Sequence, residues 1–179
     1  IEVSRGAVDA MIGLYLNEAE IQFPEDAVKV TESQHRIMQI DSVVVSSKVT
    51  NSDFEFFGDI KNLPTPVRIT LGDPIQEYLE QFKLRIEDGA KKDDQNIKKM
   101  KRDQKGVIIT STFNAMNWLE DPEYADMIEV STEPIVSRSY FLAFSKKSKF
   151  SKQEIEQIWN QIAKNREDYV YPIKIFAKY

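Results

Sequence analysis

Glu18 and Glu20 stand two residues apart after an apolar run, a spacing that on a strand or turn puts both carboxylates on one face. Paired carboxylates of this kind can serve as acid and base in proton transfer. Every other reactive type is scarce. The chain has no cysteine, which removes thiolate nucleophiles, thiolate metal sites and disulfides, and its single histidine, His35, lies in the polar stretch Thr31 to Arg36 with no second histidine to share a metal. No G-x-S-x-G or H-E-x-x-H pattern accompanies it. The expectation is therefore no catalytic residue, no metal and no cofactor, with Glu18 and Glu20 read first as solvated turn residues.

The elements that must position any site follow from length and patterning. With 179 residues, 41% of them hydrophobic and 11% aromatic, the chain is long enough for one domain or two small lobes. The formal net charge of −5 disfavours nucleic acid or an anionic membrane surface as partner, and no apolar run reaches the roughly 18 to 20 residues of a membrane span. The basic stretch Lys91 to Lys105 carries seven Lys or Arg against Asp93, Asp94 and Asp103, but only Ile97 and Met100 are apolar in it and no aromatic interleaves. It reads as a solvated helix face.

Val8 to Leu16 reads as a buried strand, and Asp41 to Lys48, preceded by Ile40, as a second one running into a linker at Ser46 to Asp53. Phe54 to Leu63 is expected to be a short helix stopped by Pro64 and Pro66. Val67 to Leu71 is a short buried strand. Gly72, Asp73 and Pro74 then open a helix, with Asp73 as N-cap, Pro74 at the first helical position and Gln76 three residues after the cap. Ile75, Leu79, Phe82 and Ile86 repeat along it at helical spacing. A helix from Asp94 to Gln104, a strand from Gly106 to Thr110, a turn at Ser111 and Thr112 and a helix from Phe113 to Glu120 follow, the rhythm of a parallel sheet. Met127 to Val130 and Tyr140 to Phe144 are strands around Pro134. Ser151 with Glu154 forms a capping box before a helix whose apolar face is Ile155, Ile158, Trp159 and Ile162, and Tyr169 to Tyr179 is a last short helix.

This order resembles the type 2 periplasmic binding proteins, in particular the bacterial extracellular solute-binding proteins that serve ABC transporters. Arg5 to Gly13 is similar to that family's G-x-V-D-A strand of the first lobe, Leu63 to Gly72 to the strand that opens the second lobe, and Gln104 to Leu119 to its later D-A-V strand and helix. Glu133-Pro134 with Tyr140 to Lys146 is similar to the return crossover. The resemblance implies an α/β, two-lobed fold: residues 1–50 as part of lobe one, 51–136 as lobe two and 137–179 as the return into lobe one. It further implies that the opening part of lobe one is missing here, the chain being either a fragment of a longer protein or one whose differently built lobe one completes itself, for instance with a partner chain, so that the isolated residues would be poorly stable or would associate. Periplasmic or extracytoplasmic location, a small polar solute and an ABC permease or receptor module as partners are likewise implied, with lobe closure around the solute. A sensor input domain, or a degenerate domain acting through protein contacts, are the alternatives of the same fold.

In such sheets ligands sit beyond the carboxyl ends of strands near helix N-termini. The resemblance thus points to Tyr15, Asn17 and Glu20 after the first strand, Gly72 and Asp73 after the Val67 strand, and Ser111, Thr112, Phe113 and Asn114 after the Gly106 strand. Three of these depart from the amino-acid binders. Where the family places a carboxylate-pairing arginine in T-x-x-R, this chain has Asn17-Glu18-Ala19-Glu20. Its small hydroxyl after the lobe-two glycine is replaced by Asp73, and its ammonium-binding aspartate by Ser111. A zwitterionic α-amino acid held in the usual manner is not expected. The plainer readings are Asp73 as a helix cap alone and Tyr15, Phe113 and Trp118 as core, with Trp159 core in any case.

Overall fold

A computed structural model describes residues 2–15, 28–29 and 36–167. His35, Leu16 to Glu20 and the expected helix at Tyr169 to Tyr179 lie outside them. The chain divides into two compact units: residues 1–40 with 138–179, and residues 41–137.

Unit 1 contains α1 (Glu2–Arg5), β1 (Ala10–Tyr15), β2 (Val28–Lys29), most of β8 (Val136–Ser145) and α5 (Lys152–Glu167). β1 and β2 both pair antiparallel with β8. β1 was expected to be buried, yet Val8 is 37% and Ile12 72% exposed. The cause is local: the β1–β8 register slips between Ile12 and Leu14, at Gly13, and a bulge re-aims side chains at a strand edge. The α5 start forms as expected. Ser151 Oγ accepts from Glu154 N at 3.3 Å, and Glu154 Oε2 accepts from Ser151 N at 2.8 Å, which holds the Glu154 carboxyl below its ordinary range. Trp159 is buried, donates from Nε1 to Leu142 O at 2.9 Å and packs edge-on to Phe144.

Unit 2 is a sheet covered on both faces. It is built from β3 (Met38–Ser47, entering from unit 1), β4 (Val67–Thr70), α2 (Ile75–Glu80), β5 (Ile86–Ala90), α3 (Asp93–Asp103), β6 (Val107–Ser111), α4 (Thr112–Glu120) and β7 (Ile128–Val130). The strand order is β7-β3-β6-β4-β5. β4 is parallel to β5 and β6, whereas β3 is antiparallel to β6 and β7, so the expected parallel sheet holds only for its Val67 side. Alternation along the strands sorts the core. Val44, Val67, Ile69, Val107 and Ile109 face α2 with Phe56, Ile60 and Leu63, while Val43, Val45 and Ile108 face α3 and α4 with Ile97, Met100, Ala115 and Trp118.

Several expected boundaries move for identifiable reasons. Phe54 to Leu63 is not a helix apart from one 3-10 turn at Ile60–Asn62, because Gly58 takes φ +85° and Asp59 caps Lys61 N; Phe56, Ile60 and Leu63 reach the core from an irregular path. Ser46 and Ser47 are buried strand residues and not linker. α2 ends at Glu80, and Ile86 belongs to β5, a strand that helical spacing had absorbed. Lys83 at φ +57° marks the break. The basic stretch does form α3, with Lys98, Lys101 and Arg102 exposed and Ile97 and Met100 buried.

Two polar residues are fully buried under α3. Arg68 donates to Lys105 O at 2.6 Å and Asp103 Oδ2 at 3.1 Å, and its Nε lies 3.2 Å from Glu87 Oε2. Asn96 is also fully buried, but neither amide atom has a hydrogen-bond partner among the described residues. An unmatched buried amide costs about 1–3 kcal/mol, and leucine has the better helix propensity. Asn96→Leu is therefore expected to stabilise the protein by about 1–2 kcal/mol in denaturant unfolding; a lowered midpoint would show that the amide is matched.

Candidate functional site

The connection leaving β4 runs through α2 to β5 on one side, whereas β6 continues through α4 towards β7 on the other. Between β4 and β6 the winding reverses, the place where open α/β sheets bind ligands beyond their strand ends. Val67 pairs with Val107 and Arg68 with Ile108, so by register Thr70 stands beside Thr110 at those ends.

Both threonines point towards α3, and one carboxylate collects them. Asp93, the first residue of α3, accepts from Thr70 Oγ1 at 2.5 Å through Oδ1 and from Thr110 Oγ1 at 3.0 Å through Oδ2. Asn114 Nδ2, from the first turn of α4, donates to Asp93 Oδ2 at 2.5 Å and lies 3.2 Å from Thr110 Oγ1. Two strands and two helices are thus tied at one acid. Ser111 caps α4, accepting from Asn114 N at 3.3 Å, and Thr112 Oγ1 donates to Asp41 O at 3.2 Å.

Gly72 and Asp73 flank this cluster in the β4–α2 turn. Gly72 takes φ +79° with nothing within 4 Å of where a Cβ would stand, so the turn needs glycine for its backbone and not for space. Asp73 Oδ1 accepts from Ile75 N at 2.9 Å, but α2 begins at Ile75 with Pro74 and not Asp73 in the N-cap position, one residue later than expected, and Gln76 turns to Glu80 instead of closing a capping box. The fold therefore gathers Gly72, Asp73, Ser111, Thr112 and Asn114 at neighbouring strand ends. Phe113 leaves the core and is 52% exposed, while Trp118 is buried. Of Tyr15, the structure describes only its place in β1; Asn17 and Glu20 lie outside the described residues.

Sequence reasoning missed Asp93, Thr70 and Thr110. Their signal was the shared ending of two neighbouring strands, Arg68-Ile69-Thr70 and Ile108-Ile109-Thr110, with an acid opening the helix that crosses between them. Arg68 is no substitute for a ligand-pairing arginine. It sits near the amino end of β4, fully buried, and is engaged by Asp103, Glu87 and the Lys105 carbonyl. Among the described residues no cluster of three or more His, Cys, Asp or Glu could hold a metal, and no helix is long and apolar enough to cross a membrane.

The fold, as distinct from the site, is shared with solved structures. The substrate binding protein of an amino acid ABC transporter superposes with a TM-score of 0.59 at 15% identity, covering 99% of this chain and 73% of the other. The GluR0 ligand-binding core from Nostoc punctiforme in complex with L-glutamate gives 0.62 at 13% identity over 99% and 75% of the two chains. An ancestral arginine-binding protein bound to arginine gives 0.62 at 15% over 99% and 74%. No known sequence family and no curated protein matches the chain. The fold is accordingly the mixed α/β, two-lobed fold of the type 2 periplasmic binding proteins.

Proposed function

We propose that the chain is a non-enzymatic, extracytoplasmic solute-binding domain of the ABC-uptake kind. Gly72, Asp73, Ser111, Thr112, Phe113 and Asn114 would meet a small polar solute at the strand ends of unit 2, and that solute is cationic or neutral and not a conventional zwitterionic amino acid. One observation carries the chemical part of this reading. The donors that would hold an α-carboxylate there are taken by the protein's own groups: Asp73 accepts from Ile75 N, Ser111 caps Asn114, and Asp93 collects Thr70, Thr110 and Asn114. Two carboxylates at these strand ends repel an anion and favour a cation.

Thermal-shift measurements against amino acids, polyamines, small cations and sugars test this. A solute present at a hundredfold excess over its Kd stabilises the native state by about 2.7 kcal/mol, several degrees for a protein of this size. Asp73→Asn keeps a competent acceptor while removing charge, so it is expected to shrink the shift from a cationic solute; Glu20→Ala tests the acid after β1 separately. A large shift from an ordinary α-amino acid, indifferent to both variants, would overturn the proposal. An input role in a signalling receptor is the second reading, favoured by the similarity to the GluR0 ligand-binding core.

A further inference from the structure

β5 carries the chain's one Asp-Gly pair, Asp88-Gly89, and there is no Asn-Gly pair. The pair falls where the β4–β5 ladder is interrupted. Arg68 stands opposite Glu87 and Thr70 opposite Ala90, so Ile69 alone faces two residues of β5, and this bulge leaves Asp88 and Gly89 outside the register with β4. β5 is also the last strand of the sheet, with no strand paired on its far side among the described residues.

The surroundings leave the pair free to react. Asp88 is half-buried, Gly89 is exposed, and no hydrogen bond or ion pair holds the Asp88 carboxyl among the described residues. A Cβ at Gly89 would meet nothing within 4 Å, so the backbone has room to fold onto itself here. Glycine also lacks the Cβ that in every other residue crowds the backbone nitrogen and narrows φ.

We propose that Asp88-Gly89 is a site of spontaneous isoaspartyl modification. Gly89 N attacks Asp88 Cγ, and the new N–Cγ bond closes a five-membered succinimide. One carboxyl oxygen leaves as water, carrying the Gly89 amide proton and a proton from solvent. Water then opens the ring. Addition at the Asp88 main-chain carbonyl carbon breaks its bond to Gly89 N, so the chain runs through the side-chain carboxyl and the α-carboxylate is freed; addition at Cγ restores aspartate. The sequence releases one water, takes one up and needs no other reagent. Its product inserts a backbone carbon between two contacts that fasten β5: Glu87 Oε2 lies 3.2 Å from Arg68 Nε, and Ala90 O accepts from Leu71 N at 2.7 Å. Modification therefore loosens the sheet edge beside the turn at Gly72 and Asp73, whatever solute the strand ends bind.

The test ages the full chain at neutral pH and physiological temperature, locates isoaspartate by electron-transfer fragmentation of its peptides and counts it by enzymatic methylation of the freed α-carboxylate. Isoaspartate is expected to form at Asp88 about tenfold faster than at the exposed Asp53 and Asp126, which do not precede glycine, and the melting temperature is expected to fall in step with it. Gly89→Ala, which introduces no clash, is expected to slow formation about tenfold. Asp88→Glu keeps the charge but must close a six-membered ring, and is expected to abolish both the modification and the fall in melting temperature. Equal rates at Asp88, Asp53 and Asp126, an unchanged rate in Gly89→Ala, or an equal loss of melting temperature in aged Asp88→Glu would overturn the proposal. So would a rate at Asp88 in the folded protein about a hundredfold below that in urea, which would mean that the bulge shields the pair.

Discussion

Gly106→Ala is expected to destabilise the protein by about 3–4 kcal/mol, lowering the melting temperature by roughly 10 °C. Gly106 takes φ +75°, a conformation that costs an L-residue about 1 kcal/mol. Space adds the larger part. A Cβ there would stand 2.1 Å from Pro66 O and 2.8 Å from Pro66 N and Cδ, and two of these three are backbone atoms that cannot rotate away. Nor can the strands separate cheaply, because Val107 N donates to that same Pro66 O at 3.0 Å and Asn51 Nδ2 holds Gly106 O at 3.1 Å. The overlap sits where β6 begins its pairing with β4, so relief means shifting the register that brings Thr70 beside Thr110. Differential scanning calorimetry reads the change directly. Gly89→Ala is the control, since a Cβ there meets nothing within 4 Å and its φ is not in the left-handed range; it is expected to change stability by less than about 1 kcal/mol. A Gly106→Ala protein melting within 2 °C of the parent would refute this account of the β4–β6 junction.

What the sequence disclosed about these strands divides along physical lines. Local signals were enough where one element determines its own start: Ser151 and Glu154 form their capping box, and Ile97 and Met100 turn inward from an otherwise charged helix. Periodicity failed where two elements share a phase. Ile86 follows Leu79 and Phe82 at helical spacing, but it is the break at Lys83 that sends it into β5, and that backbone choice leaves no hydrophobic trace. Phe54 to Leu63 failed for a related reason, because its buried residues satisfy a helical pattern while Gly58 and Asp59 impose a turn. Ile12 reads as core by type, yet bulge and edge position decide its exposure. The candidate site was legible in its helix-start residues and hidden in Asp93, Thr70 and Thr110. Those three are 17 to 40 residues apart, and only the parallel register between β4 and β6 makes them neighbours.

That register gives Asp93 its weight, and Asp93→Ala is expected to cost about 3 kcal/mol while removing the cation preference proposed above for the strand ends. The substitution strands three donors at once: the Thr70 and Thr110 hydroxyls and the Asn114 amide. Thr110 is only 3% exposed, so water reaches it poorly, and each unmatched buried donor costs about 1–3 kcal/mol. Thr70 and Asn114 are half-buried and recover part of their loss through solvent, which brings the sum to about 3 kcal/mol and not to three full penalties. Asp93→Asn separates charge from hydrogen bonding. Its amide oxygen still accepts, but its NH2 confronts donors, so about half the destabilisation remains while the negative charge is gone. Asp94→Ala, one residue on and exposed, shares the helix-dipole contribution without the network, and is expected to change stability by no more than about 0.5 kcal/mol. Denaturant unfolding of the three variants, with thermal shifts against a small cation and against glutamate, distinguishes the possibilities. If Asp93 is both tie and charge, Ala and Asn differ in stability yet lose the cation-induced shift alike. Should Asp93→Ala unfold at the midpoint of Asp94→Ala, the four elements are held at the strand ends by their apolar faces, and the acid is no more than a surface residue of α3.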